Sequence, residues 1–375
     1  MRLFLPSLFL FMYAFLSLVL PLRWPLPGKA AAAVALLAAS MKYLLYEQLG
    51  GSFFAPDLPR PVILTMEALY ATLVILAVLL LVKDVAALAA WLARQVGATW
   101  RLPLTPAFRS TFLLAAALVM AIWGTWQAVK VPDMRKVEIT VPKLPASLDG
   151  FSIVQLSDLH IWPLVRRDWL QSVVEKTNSL QPDVIAVTGD MIDGLPELIG
   201  REVEPFGDLR AKYGVFGVTG NHEYYFQADG WLPVFERLGI DMLHNEHRVL
   251  SVDGEEIVIA GVPDIQAQRF GGEGPDVNKA FRGAPDTTRI LLDHRPGTTG
   301  STLANVQLSG HTHGGTMFFI QKLIANYNGG LVNGLYDVNG MHLYVSPGTG
   351  IWGGFASRIG VPSEITRIVL RAEKA

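Results

Sequence analysis

Gly310-His311-Thr312-His313, read with the stretches that precede it, decides the fold of this 375-residue chain. Moving toward the N-terminus, a lone His294 ends an apolar run. Before it stand Gly220-Asn221-His222-Glu223, then Gly189-Asp190, then Asp158-Leu159-His160. Each of these closes a short β-like segment: FSIVQLSD, DVIAVTGD, GVFGVTGN, RILLDH and NVQLSG. Strand ends that each present Asp, His or Asn predict ligands gathered along one rim of a sheet. Gly189, Gly220 and Gly310 stand directly before candidate ligands, where the backbone turns sharply and comes close to its neighbours.

The chemistry of that ligand set is specific. Carboxylate oxygens and neutral imidazoles suit Mn, Fe, Zn or Mg, with Mn favoured here, and the chain has no cysteine to offer a softer site. Asp158, His160, Asp190, Asn221, His294, His311 and His313 supply what a pair of divalent metal ions needs when one carboxylate is shared. A two-metal centre activates water at neutral pH and clamps the attacking and leaving oxygens of an in-line displacement at phosphorus. Taken singly, a D-x-H or a G-D carries almost no information. Their order, each after a β-like run, carries the reading.

Composition divides the chain. The formal net charge is −2, which argues against nucleic acid as a partner. With 51% hydrophobic and 17% charged residues, the chain is more apolar than an ordinary soluble enzyme. The excess lies before about residue 130. Residues 4–20, 30–45, 62–82 and 111–129 read as membrane helices, the second being the weakest, joined by Pro-containing connectors. A cleaved leader fits poorly, because PLRWPLP follows the first run without a small-residue site. Trp123 and Trp126 suit an interfacial belt. Residues 83–96 are predicted to lie along the membrane surface, and Glu67 is expected to turn toward another helix. The positive-inside count is a tie, with Arg2 and Arg101 on opposite sides of it, so the side of the catalytic domain is left open.

The domain division is therefore 1–130 as a transmembrane region and 131–375 as an α/β domain. Within the latter, 168–180 is an amphipathic helix, a further helix is expected over 196–212, and Asp253-Gly254 turns a hairpin. The elements alternate as expected for two mixed β-sheets packed face to face and flanked by helices.

The ordered set D-x-H, G-D, G-N-H-E, H and G-H-T-H, over about residues 137–370, resembles the calcineurin-like metallophosphoesterase superfamily. The forms SDLH, GHTHGGT, YVSPGTG and VPSEITRIVL are similar to its membrane-associated bacterial branch, which includes UDP-2,3-diacylglucosamine hydrolase-like enzymes of lipid A biosynthesis. The resemblance implies that Asp158, His160 and His313 hold one metal, that Asp190 bridges, and that Asn221, His294 and His311 hold the second. His222 would protonate the leaving oxygen, Asp193 would orient it, and Asn221 would also touch the phosphoryl oxygens. Gly194-Leu195 after Asp193 departs from the Ser/Thr phosphatases, and His160 with Asp193 departs from the purple acid phosphatases.

The implied protein is an integral multi-pass protein of a bacterial plasma membrane. It would be a hydrolase cleaving a phosphodiester or pyrophosphate bond, on an amphiphilic, lipid-linked or nucleotide-linked substrate. The competing reading is a membrane sensor or transporter with a non-catalytic metal-binding domain. Few charges in the helices beyond Lys42 and Glu67 weigh against transport. Arg295 and Arg358 are assigned surface or structural roles ahead of contact with substrate phosphate.

Overall fold

A computed structural model describes residues 4–52, 54–99, 105–297 and 303–373. Arg2 and Arg101, used in the charge count above, lie outside the described residues. The chain forms two compact units. One runs to Gln127 and also includes the short segment Gly354–Ser357. The other comprises Ala128–Gly353 and the chain from Arg358 onward.

The first unit is helical. Helix α1, Phe4–Ala14, continues as a π-helical turn, Phe15–Val19. Helices α2, Leu26–Ser40, and α3, Lys42–Leu49, are bent by 63° at Met41. At the break the Ser40 hydroxyl donates to the Leu37 carbonyl at 2.7 Å, a back-bond that bends helices. Helix α4 spans Arg60–Gln95 without interruption, and helix α5 is Pro106–Val129. Among the described residues, two helices are long and apolar enough to cross a membrane, or three if the bent pair counts as one span; Phe4–Val19 is shorter.

The stretch 83–96, read from the sequence as lying along the membrane surface, continues α4 as one helix to Gln95. No glycine or proline interrupts the helix there, and the polar pair is held locally. Lys83 donates to the Ser17 carbonyl, while Tyr13 and Ser17 donate to Asp84.

The second unit contains two six-stranded sheets. The first is ordered β1 (Asp133–Val141), β12 (Glu364–Ala372), β2 (Ser152–Leu156), β3 (Val184–Thr188), β4 (Val215–Val218) and β5 (Asp241–Met242). The second is β10 (Gly334–Val338), β11 (Met341–Val345), β9 (Val306–Ser309), β8 (Thr288–Leu292), β7 (Glu255–Gly261) and β6 (Glu246–Val252). Both are mixed. Strands β2 to β5 are parallel, as are β7, β8, β9 and β11, while β12 is antiparallel to β2 and β10 to β11.

Alternation along the strands builds the layers. Ile153, Val184, Ala186 and Val218 pack with Ile257, Ile290, Leu292 and Leu308 in one core. Their neighbours Val154, Ile185 and Val187 pack instead with Val173, Phe206, Trp231 and Phe235 in another. Burial on both faces explains why these strands read as continuous apolar runs. Helix α6, Arg167–Ser179, matches the amphipathic prediction. The helix expected over 196–212 is only a turn, α7 (Pro196–Ile199), followed by a 3-10 turn, Glu204–Asp208. The β6–β7 hairpin forms at Asp253 and Gly254, with φ of 50° and 90°, as its tight turn requires.

Candidate metal centre

The carboxyl ends of β2, β3, β4, β8 and β9 carry the predicted residues. Asp158 and His160 follow β2, Asp190 and Asp193 follow β3, and His294 follows β8. His311 and His313 follow β9, and Asn221 and His222 open helix α8, Asn221–Tyr225, after β4. The backbone there is unusual. Asp158, His160, Asp190, His311 and His313 all have φ between 48° and 70°, a region that non-glycine residues enter at a cost. That strain recurs at the same residues whose side chains converge.

Two glycines make the convergence possible by size. A Cβ at Gly310 would collide with the Ser157 hydroxyl and the Asp158 carboxylate, and one at Gly220 with the Asp190 carboxylate. Glu223 fixes the turn from beneath. It accepts from the backbone N–H of Gly220 at 2.6 Å, Met191 at 2.7 Å and Asp190 at 3.0 Å.

The predicted metal ligands fall into two clusters, and His160 also belongs to a third group with Asp193 and His222. In one, His313 Nε2 lies 3.4 Å from Asp158 Oδ1 and 3.1 Å from His160 Nε2. In the other, His294 Nε2 lies 3.3 Å from Asp190 Oδ2 and 3.2 Å from His311 Nδ1. Asp190 Oδ2 is also 3.7 Å from His160 Nε2, so this one oxygen reaches both groups. Each group could hold a metal ion.

The tautomers fit cations. His160 donates Nδ1–H to Asp193 Oδ1 at 2.9 Å, and His294 donates Nδ1–H to the Thr188 carbonyl at 2.8 Å. Each Nδ1 is thus committed to an outer acceptor, which leaves Nε2 as the ring atom that faces the site. Imidazole nitrogens that face one another across about 3 Å, among buried carboxylates, make a donor set suited to hard divalent ions.

The electrostatics show the same frustration. Burial raises the Asp158 carboxyl above its ordinary range. Burial also acts to raise Asp190, yet His294 and His222 outweigh it and hold Asp190 well below. Burial, then neighbouring positive charge, pulls His311 and His313 well down. Burial acts to lower His294, yet the Asp190 carboxylate beside it outweighs that and pushes the imidazole up to about 10.

His222 and Asp193 form a separate pair. Asp193 Oδ1 accepts His222 Nδ1–H at 2.5 Å, leaving His222 Nε2 3.9 Å from Asp190 Oδ2. One carboxylate oxygen thus orients both His160 and His222. Asn221 is buried at the same rim, its Oδ1 accepting from Arg295 Nη2 at 3.2 Å.

Arg295 has a structural role at the edge of the site. It is held by Asp264 at 2.6 Å and reaches the site through Asn221. Nothing local in its sequence gives that away, because Asn221 lies 74 residues distant. Arg358 is structural, as expected. It is buried and donates to the carbonyls of Pro347, Gly350, His313 and Val361. Of the two tyrosines that close α8, Tyr225 stands 5.4 Å from the His222 ring, whereas Tyr224 is buried against Phe270.

The chain is similar to several known proteins. Residues 151–315 match the family model for calcineurin-like phosphoesterases. The chain is 39% identical over 280 residues to a "transmembrane protein with metallophosphoesterase domain" of Danio rerio, covering 70% of this chain and 63% of that protein. It is 37% identical over 309 residues to the Bos taurus protein of the same description, covering 76% and 67%. An uncharacterized metallophosphoesterase of Helicobacter pylori is 31% identical over 264 residues, covering 68% of each chain. Among solved structures, a dimetal phosphatase from Danio rerio aligns at a TM-score of 0.32 and 13% identity, over 54% of this chain and 88% of that one. None of these descriptions carries the UDP-2,3-diacylglucosamine hydrolase branch. The chain belongs to the calcineurin-like phosphoesterase family, a family of metal-dependent hydrolases, and has transmembrane relatives.

Proposed function

We propose that this protein is a membrane-anchored, two-metal phosphoesterase, with residues 1–130 as its multi-pass anchor and 131–375 as its catalytic part. The observation that carries the reading is Asp190 Oδ2, set between two His-containing clusters beside the His222–Asp193 pair. Asp158, His160 and His313 would hold one ion, Asn221, His294 and His311 the other, and Asp190 both. Two divalent ions in such a site activate water and neutralise charge on phosphoryl oxygens.

The chain's own groups do the rest. Asp193 holds His222 Nδ1–H, so that Nε2 faces the site and delivers a proton to the leaving oxygen. Asn221, steadied by Arg295, faces the phosphoryl oxygens as charge develops. The anchor favours an amphiphilic substrate with a phosphodiester or pyrophosphate bond, of the UDP-diacylglucosamine type or a phospholipid, and Mn is the favoured ion. The setting would be a bacterial plasma membrane. Transport gains no support, since Lys42 and Glu67 are spent on one another at 2.9 Å.

The test is hydrolysis of a chromogenic phosphodiester and its monoester by detergent-solubilised protein. Mn, Zn, Fe(II), Mg or a chelator would be present in parallel. Metal-dependent diester cleavage that disappears in Asp190→Asn is expected. A folded protein that binds two ions yet turns over neither these esters nor lipid-linked diesters contradicts the reading.

A further inference from the structure

The buried charges of the helical unit do something its packing does not require. Lys42 and Glu67 are each at most 1% exposed. The Lys42 ammonium donates to Glu67 Oε1 and Oε2 at 2.9 and 3.0 Å, and spends its third N–H on the Gly354 carbonyl at 2.8 Å. Tyr43 donates to that same carbonyl at 2.9 Å. Glu67 Oε2 accepts the Ala356 N–H at 2.8 Å, and Tyr46 donates to Oε1 at 2.9 Å. Phe355 packs edge-on against Tyr70 at 5.8 Å. Helices could pack as well around an apolar pair, since buried ion pairs are commonly neutral or costly against hydrophobic replacements. What an apolar pair cannot do is grip two backbone groups of Gly354–Ser357.

The chain on either side of that segment belongs to the metal centre. Thr349 N–H donates to the Ser157 carbonyl at 2.7 Å, and Gly350 N–H to the Asp158 carbonyl at 3.0 Å. Arg358, next after Ser357, donates to the His313 carbonyl at 3.3 Å and to Gly350 at 2.7 Å. The supports therefore fall on Asp158 and His313, in one ligand cluster, and not on Asp190, His294 and His311.

We infer that Lys42 and Glu67 are positioning residues for the Asp158–His160–His313 half of the centre, acting through the 348–358 loop. The inference rests on the proposed function. Its test is a Lys42→Met/Glu67→Met variant, which removes the grip while leaving no buried charge unpaired. Ala356→Pro deletes the same hydrogen bond from the loop side and covers a failure of the double variant to fold. Mn(II) affinity would be read for each ion by equilibrium dialysis, amide exchange by mass spectrometry on peptides over 350–358, and kcat and KM on the diester.

The expected result is faster exchange over 354–358, with one Mn(II) affinity weakened about 10- to 100-fold, the range for loss of an outer support. The other affinity should change less than about twofold, and kcat should fall more than KM rises. Unchanged affinities and kcat in folded variants overturn the inference alone, as does equal weakening of both ions. Wild-type protein that binds no ion contradicts the proposed function and takes the inference with it.

Discussion

The helical unit and the two-sheet unit both bury charged side chains, and they treat them in opposite ways. In the helical unit Lys42 and Glu67 answer one another within the chain. All three Lys42 donors and both Glu67 oxygens have partners. At the rim of the two sheets several ring nitrogens face one another instead of a complementary partner. His160 and His313 bring Nε2 atoms to 3.1 Å of each other, and His313 Nδ1 is buried with no hydrogen-bond partner among the described residues. A buried polar set that satisfies itself is architecture. One whose lone pairs face inward together is a receptor for cations, since burying such groups unpaired is costly.

That contrast can be broken by substitution. The largest effect is expected at Asp190, where Asn would lower diester hydrolysis by about a thousandfold or more, as several kcal/mol of charge stabilisation implies. Bound Mn(II) should fall at the same time, read by elemental analysis. His222→Ala should cost about 10²- to 10⁴-fold with the metal content unchanged, and the loss should be larger for an alkyl leaving group than for p-nitrophenol. Equal losses on both would remove His222 from the acid role.

In the helical unit the readout is stability. Lys42→Met alone strands Glu67 and should cost about 3–5 kcal/mol in unfolding, whereas the double Met variant should lie near wild type. Smallest of all is Asp133→Asn. Asp133 pairs with Lys130 at 3.0 Å on the surface, and its loss should cost under about 1 kcal/mol. A larger effect at Asp133 than at Lys42 would reverse the comparison.

The sequence made legible what is local. Each candidate ligand sits at the end of a strand whose apolar run is continuous, and Asp253-Gly254 specifies its own turn. Gly220 and Gly310 were readable as places of close approach, though the atoms they admit were not. What escaped is set by long-range partners. Glu67 was expected to face another helix and does, through Lys42, but the Gly354 carbonyl that Lys42 also reaches lies 312 residues away. The bond from Arg295 to Asn221, 74 residues apart, is hidden for the same reason. The division of α4 at Lys83 failed because a change from apolar to mixed residues does not end a helix. A terminating residue is needed, and none is present until the chain reaches Gly97.

The most direct test of the central claim is anomalous scattering from crystals grown with Mn(II). Two peaks are predicted, one among Asp158, His160 and His313 and one among Asp190, His294 and His311, with the Asp190 carboxylate touching both. No peak at either cluster, or a single peak among His160, Asp193 and His222 instead, would contradict the account.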